Sequence, residues 1–548
     1  MNRNMGGHCL RGLRYGLLLR WIPLSLFFLT AVPAVHSQDL IDSVTFRVNR
    51  VPLFVNKINN FAFTIRIFAN PGSDKLTLRN VKLSMDKPEL LQKLKVVGLP
   101  YVNRWISDSE CVEQYLTLGS EIPDKELEIE GDLPLKKGEN LFFISLNPKQ
   151  NVDLKEKVTV AVTELKFSDG STFAPESGVG TFRMASVLRA AGQDNVHTYR
   201  IPGLAATNKG TLISVYDIRY NNDRDLQEDI DVGMSRSTDG GQTWEPMKVI
   251  MDMGEFGGLS DSRNGIGDPS VLVDKNTNTI WVAALWVHGN YSGIQNNRFP
   301  QQGLDPKPDG RGSQIILVKS EDDGITWSEP INITRQTKSP DWDRFLQGPG
   351  GGITLKDGTL VFPAQFLDPR RNKASSSTII YSKDHGTTWH TATSSVMDGG
   401  EAQVAELSDG SIMMNMRSNQ KARLVSVSRD LGATWEAHPT SGITLQEPGC
   451  QASLISANVF MNGSKKKILF FSNPDHPSQR SQMTIKASLD DGKTWPFEYQ
   501  LKINESTGYG YSCMTMVDDE TLGIVYEGNR ELFFQKIPVK DIIANHQK

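Results

Sequence analysis

The chain has 548 residues, with 59 Lys and Arg against 63 Asp and Glu and a formal net charge of −4. At roughly 100–200 residues per domain, that length predicts two to four domains. Hydrophobic residues at 38% and charged residues at 22% exclude a disordered chain. The near-neutral balance excludes a nucleic-acid binder, whose phosphate-facing surface must be basic.

The first segment reads as an export signal. Arg3, Arg11, Arg14 and Arg20 make a basic start, an apolar stretch runs from Trp21 to Val35, and Val35-His36-Ser37 offers small residues for cleavage. Residues 1–37 are therefore expected to be a signal peptide, and the protein exported, periplasmic or secreted. No membrane span is expected in the mature chain. Cleavage removes Cys9 and leaves Cys111, Cys450 and Cys513, an odd number at no metal-ligand spacing. Stability must then come from a large core rather than a disulfide framework.

Residues 38–185 read as strands. Ser43–Val55 and Phe61–Phe68 alternate apolar and polar residues, Leu76–Leu83 and Val158–Phe167 behave alike, and turn formers stand beside them. A small β-sandwich accessory domain is predicted. Carbohydrate binding and an interdomain structural role are equal readings of it.

From residue 186 onward a repeat takes over. The pattern Ser-x-Asp-x-Gly-x-Thr-Trp occurs at Ser237–Trp244, Ser320–Trp327, Ser382–Trp389, Ser428–Trp435 and Ser488–Trp495. Unequal spacing around a constant motif means one supersecondary unit repeated, with loops of different length between copies. Each copy follows a strand-like run. Its Asp bonds the local backbone, its Gly accepts positive φ, and its Trp buries the turn against its own sheet. Residues 186–548 hold about six four-stranded sheets, so the fold class is all-β, a six-bladed β-propeller preceded by a small sandwich. The blade without a box is expected to be the one built from the chain's ends.

These boxes are what sialidases call Asp boxes, and the resemblance extends beyond them. Tyr199-Arg200-Ile201-Pro202 resembles the Arg-Ile-Pro motif that opens sialidase catalytic domains, and Glu401–Arg417 and Gly508–Met514 are similar to further segments of that family. The match runs in order over essentially all of residues 190–530. It implies an exo-α-sialidase acting on sialylated glycans, with no metal or organic cofactor, and a monomer is expected.

The chemistry can be stated independently. A sialoside carries a carboxylate on its anomeric carbon, and a planar, permanently charged guanidinium suits that anion. Motif positions assign the clamp to Arg200, Arg417 and Arg480. A carboxylate nucleophile would be repelled by the substrate's own carboxylate, whereas a phenol is not, and sialidases use a Tyr nucleophile. Tyr511 matches that position, with Tyr509, two residues earlier and on the same face of a strand, as its rival. Glu401 is the matching base, and the arginines are expected to depress the phenol's pKa. Glu406 reads as an ordinary strand residue. The acid/base is Asp225, chosen over Asp223, Asp229 and Asp231 because the family sets an Arg, here Arg219, a short distance before it. Arg219 then reads either as a substrate contact or as a residue standing behind one, and Asp268 resembles the family residue that lines the N-acyl pocket, where Trp286 is either wall or core. The rival outcomes are transfer or intramolecular release on the same machinery, and a non-catalytic glycan-binding propeller.

Overall fold

The computed structural model describes residues 40–99 and 116–543, apart from 227, 259, 289–301, 308–311, 373 and 462. Residues 1–37, expected to be a signal peptide, with Cys9, and Cys111 lie outside the described residues. No helix among those residues is long and apolar enough to cross a membrane.

Two antiparallel sheets form the N-terminal sandwich. One is ordered Ile41–Val48, Phe61–Ala69, Gly138–Pro148, Leu91–Leu99, Leu116–Glu121. The other contains Val179–Arg189, Lys157–Phe167, Thr77–Met85 and Glu126–Pro134. Alternate residues such as Phe63, Ile65, Ile67, Val81, Leu83, Val158 and Val160 fill the space between them. The strand expected over Ser43–Val55 stops at Val48. Pro52 has no N–H for a ladder, and Leu53–Phe54 pairs instead, parallel, with Met184 and Ala185.

The propeller has six blades. Their strands are Thr198–Ala206, Leu212–Arg219, Ile230–Ser237 and Lys248–Met251 in the first, and Asn264–Val273, Ile280–His288, Gln314–Ser320 and Ile331–Asn332 in the second. Phe345–Gln347 with Ile353–Thr354, Leu360–Asp368, Ala374–Ser382 and His390–Thr391 make the third. Ala402–Glu406, Ile412–Met416, Leu424–Ser428 and Glu436–Ala437 make the fourth, and Ser453–Met461, Ser464–Pro474, Met483–Ser488 and Gln500–Asn504 the fifth. The sixth takes Ser512–Asp518, Thr521–Glu527 and Leu532–Pro538 from the end of the chain. Its outer strand is the second half of Val179–Arg189, whose Ser186 and Val187 pair with Phe534 and Phe533.

Val179–Arg189 thus serves two sheets. Its first half pairs with Lys157–Phe167 in the sandwich, and its second half closes the propeller ring. One apolar cluster runs through the junction, from Phe63 and Phe182 to Tyr199, Val525 and Phe534. Phe54 packs on Phe533 at 4.3 Å, and Asp541 accepts from Arg183 and Lys157.

Each box lies between the third and outer strands of its blade. Its Ser hydroxyl donates to the Asp at 2.7–2.9 Å and accepts from the Gly N–H, while the Asp accepts from the Thr N–H. The residue before the box Gly is also left-handed, at φ 56° to 69°, even where it is Leu431 or His385. As expected, the box Trp packs on its own sheet, Trp389 meeting Phe362 at 5.6 Å and Trp495 meeting Phe471 at 5.9 Å, and the turn also reaches the neighbouring blade. A Cβ on each box Gly would stand within 3 Å of a side chain of the preceding blade, among them Phe534, Ile213 and Trp281. The Trp residues follow: Trp244 meets Phe534 edge-on at 5.2 Å, and Trp389 meets Trp281 at 5.8 Å. The box is therefore a wedge between blades. The sixth blade has none, and ends in the helix Lys540–Ile543.

Trp389 is 1% exposed. Trp389→Ala is expected to cost ~3–5 kcal/mol, the usual loss for a buried aromatic, read as a lower midpoint in denaturant. A midpoint within error of the parent would show that the wedge carries little of the blade-to-blade packing.

Candidate active site

Two inner strands break their ladder in the same way. In the first blade the register shifts between Arg200 and Gly203, where Ile201 sits at φ 56° ahead of Pro202. In the second it shifts between Gly267 and Ser270, where Asp268 sits at φ 55° ahead of Pro269. Left-handed backbone is costly for a β-branched residue, so something must hold it. In both cases a buried carboxylate on the middle strand of the preceding blade takes the N–H. Glu527 accepts from Ile201 at 2.8 Å, and Asp217 accepts from Asp268 at 2.8 Å.

The same carboxylates aim the arginines. Arg200 Nε donates to Glu527 at 3.0 Å and Arg200 Nη1 to Asp225 at 3.2 Å. Arg219 donates to Asp217 through Nε and Nη2, and through Nη1 to Asp225 at 2.7 Å. Opposite them, the Tyr511 hydroxyl donates to Glu401 at 2.5 Å, and Arg417 Nη1 reaches Glu401 at 2.9 Å and the phenol oxygen at 3.2 Å. Arg480 is oriented by the carbonyls of Tyr509 and Gly449 at 3.0 and 3.1 Å. The two halves meet at the Tyr511 ring, with Arg200 and Arg480 guanidinium carbons 5.2 and 5.6 Å from its centroid. All eight residues singled out from the sequence thus converge on one site, supplied by five blades. Among the described residues no three His, Cys, Asp or Glu side chains are grouped as metal ligands.

A family model described as a BNR repeat-like domain matches residues 211–526. A sialidase of Bacteroides fragilis is 41% identical over 95% of this chain and 99% of its own length. The chain belongs to the sialidase family. A Clostridium perfringens sialidase is 30% identical over 64% of this chain and 92% of its own. Among solved structures, the Hadza microbial sialidase Hz136 superposes with a TM-score of 0.83 at 38% identity, covering 91% of this chain and 99% of that one.

The charges of this sialidase site set its resting protonation. Burial would raise Asp225, but Arg219 and Arg200 outweigh it and hold the carboxyl below its ordinary value. Burial and the Glu401 charge lift Tyr511 well above its ordinary value, against the pull of Arg417 and Arg200. The arginines do pull the phenol down, as expected from sequence, but burial and Glu401 outweigh them at rest, so the phenol stays neutral and donates. Burial, with the charges of Asp217, Asp225 and Glu401, pushes Asp268 strongly upward. Asp231 stands apart from the arginines: it accepts from Tyr220, and burial lifts it to about 7.

Tyr509 does not share a face with Tyr511. The strand begins only at Ser512, and Gly510 at φ 88° turns the chain between the tyrosines. A Cβ on Gly510 would meet Pro474 at 2.9 Å and Arg480 at 3.1 Å. The Tyr509 hydroxyl consequently donates to Asp223 at 3.0 Å rather than to Glu401. Trp286 is core: it is fully buried and donates to Asn264 at 2.8 Å. Glu406 accepts from the Lys356 N–H, away from the arginines.

Glu527 and Asp217 were not singled out from the sequence. The available signal is a carboxylate closing an apolar strand, in Ile524-Val525-Tyr526-Glu527 and Ile213-Ser214-Val215-Tyr216-Asp217, since a buried acid needs a partner. Glu527→Ala leaves the buried Arg200 with only the exposed Asp225 as a charged partner and strips the acceptor from the Ile201 and Tyr511 N–H groups. It is expected to cost about 3–5 kcal/mol of stability, measured by denaturant unfolding, whereas Glu436→Ala at the exposed Arg429 pair leaves the midpoint unchanged. Equal midpoints for the two variants would overturn this reading of Glu527.

Proposed function

We propose that the chain is an exo-α-sialidase that releases terminal sialic acids from glycans with retention, through a Tyr511 adduct. The observation that carries this reading is the Tyr511–Glu401 hydrogen bond inside a ring of three guanidinium groups. Residues 1–37 support export to the periplasm or beyond.

The substrate carboxylate binds between Arg200, Arg417 and Arg480, which fixes the anomeric carbon near the Tyr511 oxygen. A neutral phenol is not repelled by that carboxylate. As the glycosidic bond breaks, the ring carbon becomes cationic, the Tyr511 proton passes to Glu401, and the phenolate oxygen forms the new bond. Asp225 gives its proton to the departing sugar oxygen. In the second half, Asp225 takes a proton from water, the water oxygen attacks the anomeric carbon, and Tyr511 leaves with the proton held by Glu401. Protons and bonds balance over the cycle.

Asp225 must first be protonated, yet in the free site two arginines hold it ionised. The incoming carboxylate offsets the Arg200 charge. That raises the Asp225 pKa in the complex, so substrate binding readies the acid. An acid acts only while protonated, so activity falls as pH rises through its pKa. The alkaline limb of kcat is therefore expected at higher pH than that of kcat/KM, measured on sialyllactose across pH. Coincident limbs would show that Arg200 does not control Asp225.

Glu401→Gln is expected to lower kcat on a fluorogenic sialoside by ~10²–10⁴-fold, the usual effect of losing a proton-transfer group, and Tyr511→Phe by at least as much. A parent inert on several sialosides would sink the sialidase activity itself. Full rate in Tyr511→Phe would sink only the nucleophile assignment.

A further inference from the structure

Asp225 rides on the connection between Leu212–Arg219 and Ile230–Ser237 in the first blade, and its side chain is 56% exposed. An exposed carboxylate on a loop delivers a proton reliably only if the loop is held on both sides. On one side Leu226, 6% exposed, packs with Leu285, Val287 and Leu346 of the second and third blades. From its own strand, Arg219 Nη1 donates to the Asp223 carbonyl at 2.8 Å. The remaining tether comes from the sixth blade: the Tyr509 hydroxyl donates to the Asp223 carboxylate at 3.0 Å.

Tyr509 is itself firmly seated. Its N–H donates to the Gly528 carbonyl at 3.1 Å, its carbonyl accepts from Arg480 at 3.0 Å, and its ring lies 4.5 Å from the Arg200 guanidinium carbon. The left-handed Gly510 sends this ring toward the Asp225 loop while Tyr511 faces Glu401. Resting on the activity proposed above, we infer that Tyr509 is a positioning residue whose hydroxyl, through Asp223, keeps Asp225 in register for proton delivery. The tether matters most during turnover. Arg200 holds Asp225 in the free site, and the substrate carboxylate competes for that guanidinium; the Tyr509–Asp223 bond uses neither group. Burial and the bond to Asp223 push the Tyr509 phenol up to about 12, so it remains a donor across the working pH range.

The test exploits leaving-group demand. Lactose departs from sialyllactose as a poor leaving group and needs the acid; 4-nitrophenolate departs from its sialoside nearly unaided. Tyr509→Phe keeps the ring against Arg200 and removes only the hydroxyl. It is expected to lower kcat/KM on sialyllactose by about ten-fold, within the range for a misplaced group, while the nitrophenyl substrate changes by less than about two-fold. Asp223→Ala should behave alike, and Asp223→Asn, which keeps an acceptor, should restore most of the loss. The double variant Tyr509→Phe with Asp223→Ala should lose no more than the worse single variant. Equal losses on both substrates, or losses that multiply in the double variant, would overturn the proposal. A parent inert on both substrates would instead sink the activity on which it rests. Asp223 lies on an exposed connection, so its variants report independently should Tyr509→Phe fold poorly.

Discussion

The Glu527 carboxylate is the constraint on which the site depends. Its side chain is fully buried, where an ionised carboxylate is tolerated only if its lone pairs are taken by donors. They are: Arg200 Nε, the Ile201 N–H and the Tyr511 N–H all point at it within 3.0 Å. Those donors come from the first strand of the ring and from the start of its last blade. One side chain thus joins the two ends of the propeller and fixes the separation of a clamp arginine from the Tyr511 backbone. It also holds Ile201 in left-handed backbone, the bulge that lets Arg200 leave the ladder. Asp217 repeats the device one blade on, holding Asp268 and Arg219.

The ring that carries these bonds has to be stiff, because a propeller site is assembled from loops far apart in sequence. The boxes supply part of that stiffness. Their inner hydrogen bonds make each turn a closed unit, and the residue before the box Gly reaches across to the neighbouring blade. Asp323 accepts from Thr211 and Arg236, His385 pairs with Asp274, and Asp491 accepts from Ser408. The sixth blade, which has no box, is closed instead by the strand it shares with the sandwich. The sandwich is continuous in its apolar core with the first and sixth blades, the two that hold Arg200, Asp225 and Tyr511.

What could be read from sequence follows from this division. Five copies of one turn announce a ring of blades whatever the loops between them do, and arginines beside motif segments announce an anion. The carboxylates that aim those arginines stay hidden, because Glu527 and Asp217 look like the last residues of ordinary strands. Tyr509 misleads for a related reason. Period-two alternation puts residues two apart on one face only while the backbone stays extended, and Gly510 breaks that condition. The Tyr511 pKa was unreadable because its sign depends on whether burial or the arginines dominate, which is a matter of distance and depth.

The free site has its cations already engaged, but not equally. Arg200 faces Glu527 and Asp225, Arg219 faces Asp217 and Asp225, and Arg417 faces Glu401. Arg480 rests on two carbonyl oxygens, which orient it without cancelling its charge. An entering carboxylate therefore meets one guanidinium hydrogen-bonded only to carbonyls and two already bonded to carboxylates. In the proposed mechanism its binding loosens Asp225 from Arg200 but leaves Glu527, saturated by backbone N–H groups, where it was. The pairing that must persist is buried and the pairing that must yield is exposed. Solvent screening makes the exposed bond the cheaper one to exchange, so the anion frees the acid without dismantling the clamp that holds it.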